Sequence, residues 1–289
     1  MKYTTVRESR LDTTKKFVFS VKNQEVEFSY IHKNDGKDII VCPTQTSCKM
    51  GCTFCFLTGM DLPVVNLTAE DIATGVQAVV EKAGLPESPE LLLSFMGAGE
   101  PLLNYKHVIN GCKKVCQTAQ SHVGYKTLRF AIATMIPSSA LMRGFTEASK
   151  LFNFKVHLSL HSPFDDVRRK MMPQAVLVKE SLELLREHKA YTGHDIEIHY
   201  TLIDGFNDRD EDLEKLLKLL DADTPIKFLD FKAKPGTTMR KSSRVDEFRD
   251  ALENAGIITE FYNPPGSDIG SSCGQFERKV IPLAKTAVS

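Results

Sequence analysis

The sequence has no tryptophan, no surplus of either charge, no internal repeat and no low-complexity tract. It also lacks a long apolar run. The longest runs are about the length of a strand, far short of the ~20 residues of a membrane-spanning helix, so no membrane association is expected. Residues 1–20 lack the apolar core of a signal peptide. The 37 basic residues balance 37 acidic ones, which gives no global electrostatic case for nucleic acid. Locally the charge is less even. Residues 1–20 carry five basic and two acidic side chains, residues 227–249 seven and three, and residues 207–223 three and seven. What remains is ordinary for a globular chain: 289 residues, 42% hydrophobic and 26% charged. That excludes a disordered, collagenous or coiled-coil protein and leaves one large domain or two small ones. Seven cysteines, an odd count without a signal peptide, predict a reducing, cytoplasmic location. There cysteines serve as ligands or nucleophiles more often than as bridges.

Residues 16–31 alternate apolar and polar side chains around Asn23-Gln24, which predicts an antiparallel hairpin. From Asp38 the pattern changes to short apolar runs alternating with helix-period segments. The predicted strands are Asp38–Cys42, Leu91–Met96, Leu128–Ala133, Phe154–Leu160, Ile196–Leu202 and Ile226–Lys232. Helical stretches fall near 68–84, 105–120, 138–150, 178–191, 210–221 and 243–255, with start signals at Thr68/Asp71 and Asp208/Glu211. Six strand–helix units predict a parallel sheet with helices outside, too few to close an eight-unit barrel. The expected fold is an α/β partial (βα)6 barrel with a short N-terminal β-hairpin extension. Residues 1–37 form the arm and hairpin, and residues 38–289 the core. Functional groups are expected beyond the C-terminal ends of the strands.

After the first of these strands comes Cys48-Lys-Met-Gly-Cys52-Thr-Phe-Cys55. Three thiolates on one short loop can converge on a soft metal centre. A structural zinc would want a fourth cysteine or histidine nearby. The next cysteines, Cys112 and Cys116, lie more than fifty residues on. A four-iron cluster with one iron left open suits three ligands, and zinc remains the alternative. After the second strand, Gly97-Ala-Gly99-Glu100-Pro101 offers close backbone approach and a carboxylate for a ligand ammonium, or else a plain strand-to-helix turn.

The C-x3-C-x2-C spacing, with Phe54 before the last cysteine, resembles the signature of radical S-adenosylmethionine (SAM) enzymes. The resemblance narrows with Met96-Gly-Ala-Gly-Glu-Pro-Leu-Leu-Asn104, Leu158-Ser-Leu-His-Ser-Pro163, Asp204-Gly-Phe-Asn-Asp208, Lys234-Pro-Gly236 and Ser272-Cys-Gly-Gln275. From about Glu25 to Phe276 the chain looks like the RlmN/Cfr family of adenine-carbon methyltransferases acting on ribosomal RNA. The resemblance implies one [4Fe-4S] cluster on Cys48, Cys52 and Cys55. It implies SAM contacts at Gly99, Glu100, Ser159, Leu160 and His161, and Cys273 as the methyl-carrying cysteine. Cys42 would be the second cysteine and disulfide partner of Cys273, and Glu27 the general base. It further implies an RNA substrate, ribosomal or transfer, a flavodoxin-type reductase as electron donor, and a monomer.

The family's chemistry explains the two extra cysteines. An aromatic adenine carbon is no nucleophile, so one SAM first methylates Cys273. A radical from a second SAM removes a hydrogen from that S-methyl, and the carbon radical adds to the base. A base takes the proton from the adenine carbon, and the Cys42 thiolate releases the product by forming a disulfide. The chain departs from the family pattern in five places. Cys42 precedes Cys48 by six positions, one fewer than the family spacing. Ala133-Thr134 stands where Ser-Thr is expected, Lys232 replaces an asparagine, and Pro264-Pro-Gly-Ser-Asp268 lacks an arginine. Only 41 residues precede Cys42, so a compact form without the full N-terminal accessory domain is expected. Two rival functions stay open: a compact relative acting on a non-ribosomal or small-molecule substrate, and a non-catalytic iron–sulfur or RNA-binding relative. Plainer structural roles are a packed core thiol for Cys42, a solvated outer-face position for Glu27, core packing for Cys112 and Cys116, and helix surface for Arg168-Arg169-Lys170.

Overall fold

The computed structural model describes residues 1–84, 90–122, 127–271 and 275–276. Ten strands lie in one sheet in chain order: β1 (Lys2–Glu8), β2 (Lys15–Val21), β3 (Gln24–His32), β4 (Lys37–Val41), β5 (Glu90–Phe95), β6 (Thr127–Thr134), β7 (Phe154–Ser159), β8 (Ile196–Tyr200), β9 (Ile226–Leu229) and β10 (Thr259–Tyr262). β1 to β4 pair antiparallel, and β4 to β10 pair parallel. The helices are α1 (Ala69–Ala83), α2 (Tyr105–His122), α3 (Ser139–Ser149), α4 (Asp165–Met171), α5 (Val178–Thr192), α6 (Asp210–Leu219) and α7 (Val245–Asn254). Among the described residues, no helix is long and apolar enough to cross a membrane.

The six predicted strand–helix units are present, and the hairpin extends their sheet. Its two-residue turn is Lys22-Asn23, with φ of 48° and 62°. That is one residue earlier than the alternation placed it, and positive φ at both positions is the mark of a tight hairpin turn. Three elements go beyond the expectation: the edge strand β1, the seventh parallel strand β10, and the short helix α4. The Thr68 start signal holds. Its hydroxyl accepts from Asp71 N at 3.1 Å, and the Asp71 carboxylate accepts from Thr68 N at 3.0 Å. At the Asp208 signal, α6 begins after Arg209 instead, and Asp208 accepts from Gly205 N at 2.8 Å.

Side-chain alternation along the parallel strands divides two environments. Ile40, Leu91, Leu93, Phe95, Val156, Leu158, Ile198 and Phe228 join the core between sheet and helices. Alternate positions such as Val41, Ser94, His157, His199 and Lys227 line a cavity of about 270 Å³ on the other face. Glu27 of β3 and Glu260 of β10 line the same cavity. Strands from both ends of the sheet therefore face one space, which is the curl of a partial barrel.

Candidate active site

The loop after β4 carries the three cysteines. Backbone bonds from Cys55 N to Cys52 O (3.1 Å) and Thr53 N to Met171 O (2.9 Å) fix it. All three cysteines line one pocket of about 160 Å³, together with Gly99, Glu100, Ser159 and His161. Sequence positions 48 to 161 thus meet beyond the ends of β4, β5 and β7. Three thiols around one pocket are a donor set for a soft metal centre. As free thiols, Cys48 and Cys52 are held protonated: burial pushes Cys48 up to about 11 and raises Cys52 as well. Binding of iron would deprotonate them.

The glycine loop is shaped by close contacts. Gly99 has φ of 104°, and a Cβ there would lie 2.5 Å from Thr44 Oγ1, so a side chain is excluded. Glu100 is buried. Its carboxylate accepts from Leu102 N (3.0 Å), Thr134 Oγ1 (2.6 Å) and Met135 N (3.3 Å). Burial nonetheless pushes it up to about 7. A cationic ligand in the pocket would draw it to the ionised form. Thr134, which stands after Ala133, thus meets Glu100 directly.

His161 takes φ of 53°, rare for a residue with a side chain. Its Nδ1 accepts from Thr201 N at 3.0 Å, and its carbonyl accepts from Asn207 Nδ2 at 2.6 Å. Burial pushes the imidazole down to about 3. A neutral ring accepting at Nδ1 carries its proton on Nε2 and is a donor there. Leu160 is buried and does not line this pocket; its carbonyl accepts from Arg168 Nε at 3.2 Å. Arg168 corrects the helix-surface expectation, because it is 1% exposed while Arg169 and Lys170 are exposed. Its guanidinium also donates to the carbonyls of Met135 (2.9 Å), Ser159 (3.3 Å) and Val176. It ties the loops that follow β6 and β7, a role no sequence motif announced.

The larger, inner cavity lies beside this pocket, and Met96, Gly97 and Phe276 line both. Glu27 is buried on its wall, 3.5 Å from Lys16 Nζ, so the solvated outer-face alternative is excluded. Cys273 lies outside the described residues. Ser271 and Gln275, on either side of it in sequence, line the inner cavity. The hairpin end of the molecule grips the segment before it. Gly266 N donates to Asp12 Oδ2 (2.8 Å), Ser9 Oγ to Asp268 Oδ1 (2.7 Å), and Lys16 Nζ to Gly270 O (2.9 Å). Ser29 and Ser271 share a hydroxyl bond of 2.8 Å.

Cys42 is brought into neither cavity. It is a free thiol in the core, within electrostatic reach of Cys112 on α2. Val41, its neighbour, takes the cavity face. One residue of difference in spacing reverses the face a strand residue presents, and Cys42 has the helix face. Cys112 is likewise buried core. Lys232 bonds Asp230 at 2.6 Å. Sequence reasoning also missed a polar group in the inner cavity formed by His157, Glu197, His199 and Lys227. The signal was present as charged or imidazole residues at alternate positions of apolar strands.

Residues 42–220 match the family described as the Radical SAM superfamily. A protein described as a probable dual-specificity RNA methyltransferase RlmN, from Symbiobacterium thermophilum, is 32% identical over 285 residues, covering 96% of this chain and 74% of that one. Its counterpart from Clostridioides difficile strain 630 is 30% identical over 277 residues, covering 94% and 78%. A crystal structure of a radical SAM methyltransferase from Sphaerobacter thermophilus matches with a TM-score of 0.82 at 25% identity, covering 95% of this chain and 80% of that one. On its cysteine loop, its sheet and these matches, the chain belongs to the radical SAM superfamily and, within it, to the RlmN family.

Proposed function

We propose that the protein is a methyltransferase that adds a methyl group to an sp2 carbon of adenine in RNA, with Cys273 as the carrier of that methyl. The observation that carries this reading is that Phe276, three residues past Cys273, lines both cavities, with Ser271 and Gln275 on the inner wall. Bound at the cysteine loop, a [4Fe-4S] cluster and SAM supply methyl-transfer and radical chemistry. Cys48, Cys52 and Cys55 would hold the cluster. Glu100 would take the SAM ammonium, while Ser159 and the Nε2–H of His161 offer polar contacts in the same pocket. Glu27, on the inner wall, would accept the proton leaving the adenine carbon. The RNA substrate rests on the names of the relatives. No second thiolate is assigned, because the Cys42 side chain faces α2.

The test uses isotope-labelled SAM and RNA. Peptide mass spectrometry should find a labelled methyl on Cys273 of the reconstituted protein. Nucleoside mass spectrometry should find a carbon-methylated adenosine only in RNA from cells that make the protein. An unmodified Cys273 together with unchanged nucleosides would overturn the reading.

A further inference from the structure

On the inner wall, apart from the cysteine loop, three donor atoms converge. His157 of β7 sits directly opposite Glu197 of β8 in the sheet register. His199 follows on the same face of β8, two residues on. His157 Nδ1 lies 2.8 Å, and His199 Nε2 3.4 Å, from Glu197 Oε2. All three donor atoms lie within 4.8 Å of one another, and all three residues are buried. Apart from that carboxylate, His157 Nδ1 and His199 Nε2 have no hydrogen-bond partner among the described residues, and Glu197 Oε2 meets in addition only the ammonium of Lys227. Buried polar atoms are almost always satisfied. Two buried imidazole nitrogens that converge on one carboxylate oxygen call for a common partner.

We propose that His157, Glu197 and His199 hold a divalent transition-metal ion, zinc or iron(II), through two imidazoles and one carboxylate. Donors on a tetrahedral ion at about 2.0–2.1 Å lie about 3.3 Å apart, close to the spacings here. Two histidines and a carboxylate are a donor set for catalytic zinc and for non-haem iron(II) alike. Lys155 Nζ bonds the other oxygen, Glu197 Oε1, at 2.9 Å. That fixes the carboxylate and leaves Oε2 for the ion, as outer partners of metal ligands do. Three protein ligands leave a position open. His157 and His199 line the inner cavity of about 270 Å³, so the open position faces the space where a bound molecule would sit. Lys227 is the competitor. Its Nζ is 2.9 Å from Glu197 Oε2 and equally 2.9 Å from Glu260 Oε2. An incoming ion would displace the ammonium from one carboxylate while the other keeps it.

The protein, reconstituted anaerobically so that its loop thiols are occupied by the cluster, is dialysed against Zn²⁺ and, in a separate arm, Fe²⁺. One ion per chain beyond the cluster iron is expected, and the arm that binds more tightly identifies the metal. Lys227→Met should bind about tenfold more tightly, because it removes the competing ammonium. His157→Ala and His199→Ala should each weaken binding more than about a hundredfold while keeping the cluster iron. Co²⁺ in the unaltered holoprotein should give ligand-field bands without a thiolate charge-transfer band, a reading that stands even if an alanine variant fails to fold. No ion beyond the cluster iron in both the unaltered protein and Lys227→Met would overturn the site and leave Lys227 as its permanent cation. Retention of the ion by both histidine variants would overturn it too. None of these readouts depends on methyl transfer.

Discussion

At the scale of single residues, Arg168 shows how a charged side chain can organise a site it does not enter. Its guanidinium reaches the carbonyls of Met135, Leu160, Ser159 and Val176. Two of the residues so held, Met135 and Ser159, line the pocket of the three cysteines. Burial pushes the guanidinium down to about 10, and it stays charged at neutral pH. A lysine is a compact point charge and cannot span a planar fork of four acceptors. Arg168→Lys should therefore strand at least one or two carbonyls, at about 1–3 kcal/mol each. The expected loss is about 2–4 kcal/mol, read from the urea midpoint of the apo protein. A loss below about 1 kcal/mol would show that the carbonyls find other donors. Nothing in Asp165-Asp-Val-Arg168-Arg-Lys170 distinguishes the buried arginine from its exposed neighbour, because arginine is seldom buried. Cys42 shows the strand's two-residue alternation at work: its side chain turns toward α2 while Val41 takes the cavity face.

At the scale of elements, the parts legible in the sequence were those whose signal is local. Strands β4 to β9 announce themselves as apolar runs between helix-period segments, and the cysteine and glycine loops as contiguous motifs. β1 was not legible because Lys2–Glu8 is half exposed on an edge, and β10 because Thr259–Tyr262 is four residues of mixed character. The inner polar group is assembled only by register, from positions far apart in sequence. Helix α1 shows a different dependence. Gly75 sits mid-helix against the buried ring of Phe28 on β3, and a Cβ there would lie 2.3 Å from Phe28 Cζ. Alanine gains about 1 kcal/mol over glycine in an exposed helix. Here the overlap forces helix and ring apart, at about 1–3 kcal/mol. Gly75→Ala should thus be net destabilising by up to about 2 kcal/mol. Adding Phe28→Leu should restore part of that loss relative to Phe28→Leu alone, the signature of direct contact. A Gly75→Ala protein as stable as the parent in chemical denaturation would refute the packing argument.

At the scale of the whole molecule, the two ends of the described chain meet. The β1–β2 turn holds the segment before Cys273 through Asp12 to Gly266 N and through Asp268 to Ser9 Oγ and Arg10 N. Two of these contacts are exposed and that of Asp12 is half-buried, and Ser9, Arg10, Asp12 and Asp268 do not line the inner cavity. Removing them should leave both pockets and the sheet intact. Their expected effect is on the aim of the segment that leads to Cys273. In Asp12→Ala/Asp268→Ala, SAM cleavage to 5′-deoxyadenosine should proceed at the parent rate, since the cysteine loop and Glu100 are untouched. Methyl transfer needs the carrier and the substrate in a fixed geometry, and a misplacement of about 1 Å can cost about a hundredfold. A loosened tether samples both good and bad positions, so a fall of about tenfold in methylated product per 5′-deoxyadenosine is expected. Limited proteolysis supplies the structural control: cleavage after Gly266 should become faster while the sheet stays resistant. A double variant with faster cleavage and unchanged product ratio would show that the clamp holds the segment without aiming it. Unchanged proteolysis and ratio together would remove the clamp from the account altogether.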